Sequence, residues 1–361
     1  MRKELLPFLP SNKNYIGILG GGQLGKMIAI AASNLGYQTI LYCPEGDNPA
    51  EQVVNKVYHG SWDDFDKIDH FASQLICATS EFENVPSMTL ERIEQKTYLF
   101  PNSFAFQKAQ SRDKEKELAS KCGFKVPEWY IIKSLHDLEK FSSKLKFNAI
   151  LKTNTLGYDG KGQKNINNNK DLKEIWCEIG SKDCVLEEKV DFIREVSILF
   201  AKSSNNSECF FPVAENTHGG GILRQTFAPA LIENKILNKI KQNTKLIANK
   251  IKLTGLLAIE MFQLENGEVI FNEMAPRPHN SFHWTLEGCL NSQFDILIKS
   301  ICGHKICDQF SSNSWQMKNI IGKEIHLLNE ITKDTRNKCY IYGKKEIKSD
   351  RKMGHYTFKI N

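Results

Sequence analysis

The sequence predicts a mixed fold of two or three domains, an α/β parallel-sheet domain followed by an α+β region. Three observations predict it. A strand, a glycine turn, a helix and a second strand follow one another from Tyr15 to Cys43. From Ala149 to Met274 apolar strands come in pairs separated by turn residues. At 361 residues the chain is also too long for one ordinary core.

The elements follow from local pattern. Tyr15–Leu19 is a short apolar strand, Gly20–Gly25 a turn, and Lys26–Leu35 an Ala- and Ile-rich helix closed by Gly36. Thr39–Cys43 is the second strand, and Leu75–Thr79 and Tyr98–Phe100 complete a doubly wound sheet. The charged helix Ser111–Cys122 stops at Gly123, and Pro127 follows, so the first domain ends here. The second region reads as strand Ala149–Thr153, a glycine loop at Gly157–Gln163, a polar turn-like stretch Asn165–Lys170 and helix Asp171–Gly180. Strands Cys184–Val190 and Arg194–Lys202, helix Glu233–Leu253, and strands Leu256–Leu264 and Glu268–Met274 follow. A third region of short strands begins near Ser300, giving domains 1–111, 112–299 and 300–361.

Composition excludes several classes. No apolar run approaches the ~18 residues of a membrane span. Met1–Pro10 starts like a signal peptide, but Pro7 and Pro10 break its apolar stretch, so it reads as an extended lead-in. The ten cysteines contain no C-x-x-C pair, which points to buried reduced thiols in a cytoplasmic protein. The net charge of +6 is carried by Lys318–Asn361, with eleven Lys and Arg against five Asp and Glu. No aromatic-basic interleaving of a nucleic-acid binder accompanies it. A solvated surface or an anionic small substrate fits the excess.

Three motifs carry chemistry. Gly20-Gly-Gly-Gln-Leu-Gly25 satisfies G-x-G-x-x-G between a strand and a helix. The second strand ends Tyr42-Cys-Pro44, so the acidic residue that holds an NAD ribose is misplaced to Glu45. A packing turn, or one that takes a substrate phosphate, fits better. Next, Asn266-Gly267 is a two-residue hairpin turn that places Glu265 opposite Glu268 and hence Glu260 opposite Glu273. Their Cβ atoms would stand roughly 4.5–5.5 Å apart in an apolar hairpin. Two like charges there want a divalent cation, a proton on one of them, or a neighbouring Lys. Asn272 would face away unless a bulge intervenes. Finally, Lys152 precedes Gly157-Tyr-Asp-Gly-Lys-Gly-Gln163, whose three glycines suit a lid over a polyphosphate; it is not a Walker loop.

In order, a strand lysine, a glycine lid, an acidic strand and a Glu…Asn-Glu hairpin resemble the ATP-grasp fold. The finer motifs resemble N5-carboxyaminoimidazole ribonucleotide synthetases. They are Gly20–Gly25, Glu81-Phe-Glu-Asn-Val-Pro86, Gly157–Gln163, Pro212-Val-Ala-Glu-Asn-Thr-His218, Gly221-Ile-Leu223, Asn272-Glu-Met-Ala-Pro-Arg-Pro-His-Asn-Ser281, His283-Trp284 and Arg351-Lys-Met-Gly-His355. The resemblance runs from Tyr15 to Phe358. It implies a Rossmann-like pre-ATP-grasp domain, a central ATP-grasp domain and a small C-terminal domain. It also implies a homodimer that uses ATP with Mg²⁺, or Mn²⁺ in its place.

The implied roles are as follows. Arg112 and Lys152 contact the nucleotide phosphates beneath Gly157, Tyr158, Asp159, Gly160, Lys161, Gly162 and Gln163. Glu187, Glu188, Lys189 and Val190 form a strand edge that reads adenine, Glu195 holds the ribose, and His218 lies beside the nucleotide. Glu260 and Glu273 hold the metal with Asn272 beside them. Arg277, His279, Asn280 and Ser281 line the site for bicarbonate and ribonucleotide. Gly22, Gln23, Leu24, Glu81, Tyr158 and Asp159 fall on the substrate side, and Arg351 and Lys352 take the 5′-phosphate. Arg277, Lys152, Glu260 and Glu273 are the catalytic set. Two departures stand out. Lys348-Ser-Asp350 replaces the usual Arg-Pro-Gly, and the chain stops soon after Phe358, so a usual terminal helix is expected to be shortened. The alternatives are a formate-using glycinamide ribonucleotide transformylase of the same fold, or an NAD-binding Rossmann protein.

Overall fold

Alternation of apolar and polar residues decides which side chains reach the cleft. A computed structural model describes residues 7–11, 14–157, 162–179 and 183–360. The first sheet contains β1 (Tyr15–Leu19), β2 (Gln38–Cys43), β3 (Lys56–His59), β4 (Leu75–Ser80) and β5 (Tyr98–Leu99). All are parallel, in the order β3-β2-β1-β4-β5. β3 is not evident in the sequence, because it is short and only partly buried. The first helix spans Gln23–Asn34, so half of the expected glycine turn is already helical.

A small antiparallel sheet contains β6 (Trp129–Ile132), β7 (Ala149–Thr153), β8 (Gln163–Ile166) and β9 (Cys184–Glu188). Its order is β6-β9-β7-β8. β8 occupies part of the stretch expected to be turn-like; it is an edge strand with three exposed positions, so apolar alternation does not reveal it. Ala149, Leu151, Cys184 and Leu186 fill this lobe's own core. Their neighbours Ile150, Lys152 and Glu187 therefore face the other way.

The large sheet contains β10 (Arg194–Lys202), β11 (Glu208–Phe210), β12 (Ala214–Gly219), β13 (Ile222–Ala228), β14 (Gly255–Gln263), β15 (Val269–Ala275), β16 (Ser314–Ile321), β17 (Lys338–Ile341) and β18 (Lys352–Ile360). The order is β15-β14-β10-β12-β13-β16-β18-β17, with β11 on β10. The C-terminal strands were expected to be short, but β16 has eight residues and β18 nine. β16 pairs onto β13 and β18 onto β16, which carries the C-terminal basic residues into the sheet.

This sheet has a core on each face. Val196, Ile198, Leu257, Ile259 and Met261 fill one. Leu199, Ala201, Leu256 and Ala258 fill the other, which they share with the first sheet and with the helix Gln293–Ile301. Glu195 and Glu260 therefore leave the sheet on the second face.

Six cysteines are buried as expected, but Cys177 and Cys307 are exposed and Cys289 and Cys339 half-buried; none of the ten is in a disulfide. Burial pushes the Cys43 thiol up to about 12, so it stays protonated and inert. Among the described residues, no helix is long and apolar enough to cross a membrane.

Candidate active site

The β14–β15 hairpin places Glu260 opposite Glu273. It does so by a different route from the sequence reading. The loop has three residues, Glu265-Asn266-Gly267, with Leu264 N–H donating to Glu268 C=O at 2.8 Å and Gly267 at φ +83°. Glu265 therefore does not face Glu268. A bulge at Asn272 then shifts the register back by one. The bulge lets Phe271 and Met274 enter the same core although three positions apart. It also puts Asn272 and Glu273 together on the cavity wall with Glu260.

Glu260 is buried, and burial followed by the charge of Glu273 pushes its carboxyl up to about 8. Its Oε1 is buried without a hydrogen-bond partner. His279 Nδ1 lies 3.7 Å from that oxygen, but burial, with Arg277 and Lys352 nearby, holds His279 well below its ordinary value and so neutral. One donor atom each of Glu260, Glu273 and His279 fall within 4.8 Å of one another. Two facing carboxylates, an orphaned oxygen and an adjacent amide fit a hard divalent cation.

A second charged group lies on the small sheet. Lys152 Nζ donates to Glu187 Oε2 at 2.8 Å, and Lys116 Nζ lies 3.0 Å from Glu187 Oε1. Burial opposes the charge on Glu187, but Lys116, Lys152 and Arg112 outweigh it and hold the carboxyl near 2. Three cations around one carboxylate leave a net positive field for phosphates. Glu187 was expected at a strand edge, reading adenine. Instead β9 lies between β6 and β7, and Glu187 is buried against two lysines. Glu188 is exposed at the end of the strand, and Lys189, exposed, and Val190, half-buried, lie past it.

Lys152, Glu260, Asn272 and Glu273 line a cavity of about 250 Å³ with Arg112, Gln163, Glu195 and His218. Glu195 Oε2 and His218 Nδ1 are 2.6 Å apart; burial opposes protonation of His218, but its bond to Glu195 and the charge of Glu260 raise it. Phe192 and Phe262 stack at 4.6 Å and line the same cavity with Ile150 and Leu223. The sequence reading missed this apolar slot, because Phe192 and Phe262 meet only through strand pairing.

A larger cavity of about 710 Å³ adjoins it, sharing Glu273, His279, Asn280 and Lys352. Gly22, Gln23, Leu24, Glu81, Arg277 and Arg351, read in the sequence as substrate-side residues, line it, and so does Gly157, which was expected in the lid over the ATP phosphates. Arg277 pairs with Glu83 at 2.8 Å, and Arg351 with Asp47 at 2.6 Å. Lys344 also lines it, and burial, with Arg351 and Lys352 nearby, lowers that lysine to about 8. Glu83 lies inside the Glu81–Pro86 motif but was given no role there, and Asp47 and Lys344 had no signal beyond their charge. Lys348 lines the cavity as well but is exposed and paired with Glu346. Ser281 was expected to face the substrate. It is fully buried, bonded to Ser197 Oγ at 3.0 Å and His279 Nδ1 at 2.8 Å, so it supports His279 from beneath. Tyr158, Asp159, Gly160 and Lys161 lie outside the described residues. Gly162 C=O accepts from Thr153 N–H at 2.8 Å, closing the base of the lid hairpin.

Glu81 settles the use of the glycine turn. Its carboxylate accepts from Gly22 N–H at 2.8 Å and Gly25 N–H at 3.3 Å, where a dinucleotide pyrophosphate would have to sit. This argues against the NAD alternative. A Cβ at Gly22 would lie 2.7 Å from Glu81 Oε1. Gly22→Ala is expected to displace that carboxylate and raise the KM of a ligand in the larger cavity about tenfold. The KM for ATP should stay within about twofold, since neither Gly22 nor Glu81 lines the smaller cavity, where the nucleotide is expected. Steady-state kinetics with each substrate varied in turn checks this.

Comparison with known proteins agrees with this geometry. Family models match in three segments: a ribonucleotide synthetase preATP-grasp domain over residues 13–110, an ATP-grasp domain over 117–294, and a phosphoribosylaminoimidazole carboxylase C-terminal domain over 316–359. The N5-carboxyaminoimidazole ribonucleotide synthase of Bacillus subtilis is 38% identical over 95% of this chain and 90% of its own. The bifunctional purine synthesis protein purC/E of Dictyostelium discoideum is 35% identical over 95% of this chain, which spans 36% of that longer protein. Among solved structures, N5-carboxyaminoimidazole synthetase from Staphylococcus aureus complexed with ADP superposes with TM-score 0.92 at 36% identity, covering 98% of this chain and 96% of that one. The Aspergillus clavatus synthase in complex with ADP and 5-aminoimidazole ribonucleotide gives 0.89 at 25% identity, covering 97% and 94%. With its paired glutamates, buried Lys152 and adjoining cationic cavity, the chain belongs to the N5-carboxyaminoimidazole ribonucleotide synthase family of ATP-grasp enzymes.

Proposed function

We propose that the chain carboxylates 5-aminoimidazole ribonucleotide to N5-carboxyaminoimidazole ribonucleotide, consuming ATP and bicarbonate and releasing ADP and phosphate, as a step of purine biosynthesis. The observation that carries it is the meeting of two cavities at Glu273, His279, Asn280 and Lys352. One has an apolar slot and a cationic floor for ATP. The other ends in Lys344, Arg351 and Lys352 for a 5′-phosphate.

A bicarbonate oxygen attacks the γ-phosphorus, and the bond to ADP breaks, giving carboxyphosphate. Lys152 and Arg112 hold the phosphates on the nucleotide side. Arg277, fixed by Glu83 in the wall of the larger cavity, holds the anionic carboxyl. The 5-amino nitrogen then attacks the carboxyl carbon, directly or after CO₂ leaves carboxyphosphate inside the closed site. The carbon–oxygen bond to phosphate breaks, and the amino proton leaves with the phosphate. The Gly157–Gln163 lid excludes water, which would hydrolyse carboxyphosphate. Held by Glu260 and Glu273 with Asn272 beside them, Mg²⁺ or Mn²⁺ supplies neutralisation of the polyphosphate charge. A homodimer and a cytoplasmic location belong to the same proposal, and rest on family resemblance.

The test is phosphate release from Mg-ATP with and without aminoimidazole ribonucleotide. Strong stimulation that requires bicarbonate establishes the reaction. Turnover only with formate and glycinamide ribonucleotide moves the chain to the transformylase reading.

Lys344 gives the ribonucleotide site a pH dependence. A lysine that titrates near 8 is charged below that pH and loses its charge above it. The KM for the ribonucleotide is therefore expected to rise above pH 8, and Lys344→Met to flatten that rise. A pH series of KM at saturating ATP checks both.

A further inference from the structure

The bulge that brings Asn272 and Glu273 together has an energetic problem. β15 is the edge strand of the large sheet, so its outward N–H and C=O groups have no partner strand. A bulge also leaves its extra residue out of the ladder. Such a segment is free to slip, yet Glu273 must keep its place opposite Glu260.

The helix Arg112–Lys121 supplies the missing partners. Lys116 Nζ donates to Asn272 C=O at 3.2 Å. Glu115 Oε2 accepts from Met274 N–H at 3.1 Å. The two bonds grip the backbone on either side of Glu273. Just past the helix, Lys125 C=O accepts from Phe271 N–H at 2.8 Å. The same Lys116 Nζ lies 3.0 Å from Glu187, which holds Lys152. One ammonium thus links the phosphate-side lysine on the small sheet to the bulge on the large one.

Stability alone does not account for Lys116. Its side chain is fully buried, and a buried ammonium is costly where an apolar side chain of similar volume packs as well. Glu187 would also keep Lys152 as a partner without it.

We propose that Lys116 and Glu115 are positioning residues that lock the Asn272–Met274 bulge, and that Lys116 thereby fixes the spacing between the cation site and the phosphate-binding lysine. The inference rests on the reading of Glu260 and Glu273 as the metal pair. The experiment titrates Mn²⁺ into the full-length protein saturated with ADP, following free Mn²⁺ by electron paramagnetic resonance, with ADP alone as the blank. Glu273→Gln is the reference and should abolish the protein-dependent Mn²⁺ site. Lys116→Met is expected to weaken Mn²⁺ about tenfold or more, the scale seen when groups that orient metal ligands are lost. Its kcat should fall while the KM for the ribonucleotide stays within about twofold, because Lys116 itself does not line the larger cavity. Wild-type Mn²⁺ affinity in Lys116→Met, beside loss in Glu273→Gln, overturns the inference and leaves the metal reading standing. Unchanged Mn²⁺ affinity in Glu273→Gln overturns the metal reading itself. If Lys116→Met does not fold, Glu115→Leu carries the same test, because it removes the bond to Met274 N–H without touching Glu187.

Discussion

Glu260→Gln is expected to stabilise the metal-free protein while lowering turnover by about a thousandfold. Both effects come from one arrangement. Metal-assisted charge stabilisation is worth several kcal/mol in a phosphoryl-transfer transition state, and about 4 kcal/mol is three decades of rate. The facing carboxylates are also mutually repulsive and poorly solvated, which pushes Glu260 up to about 8. A carboxyl raised above its unfolded value of 4.5 contributes stability that is complete below that pH and is lost as pH rises through about 8. The melting temperature of the metal-free wild type should therefore fall between pH 6 and pH 9, and that of Glu260→Gln should fall less. Thermal melts across this range check the sign. A steeper fall in the variant than in wild type would refute the like-charge account.

Lys152→Met is expected to weaken metal-free binding of ADP about a hundredfold, the worth of a charge-assisted bond of nearly 3 kcal/mol. The loss should exceed that of an ordinary phosphate contact. Without Lys152, Glu187 forms a neutral pair with Lys116 and only Arg112 is left uncompensated, so the net positive charge of the group is halved. Glu187→Gln provides the contrast. It leaves two buried ammonium groups without their carboxylate, and a broken buried pair costs about 3–5 kcal/mol. That variant should lose stability as well as nucleotide affinity, whereas Lys152→Met should lose mainly affinity. Calorimetric titration with ADP and thermal melts of both variants separate the two outcomes.

What sequence reading could reach depended on the range of the interaction. The hairpin was legible because turn chemistry and two-residue alternation act locally. Even so, the pairing of Glu260 with Glu273 came from two offsetting one-residue differences, a longer loop and a bulge. The bulge was foreseeable only as a condition for Asn272 to face the site. Glu187 shows the opposite case. Its acidic strand was visible, but its role depended on the strand lying in the middle of a sheet and on Lys116, 71 positions earlier in the chain.

The sequence alone determined the parallel first sheet, the strand that carries Lys152, the facing glutamates and the family, because each is written in short-range pattern or in contiguous motif residues. The tertiary structure decided the rest. It set Glu81 on the N-terminus of the first helix, Asp47 on Arg351 across 304 positions, Lys344 beside Arg351, and Lys116 between the two walls of the cleft. The physical reason is that a charge finds its partner only when strand order and packing bring distant segments together. Periodicity along the chain records which face a residue takes and leaves open what stands opposite it.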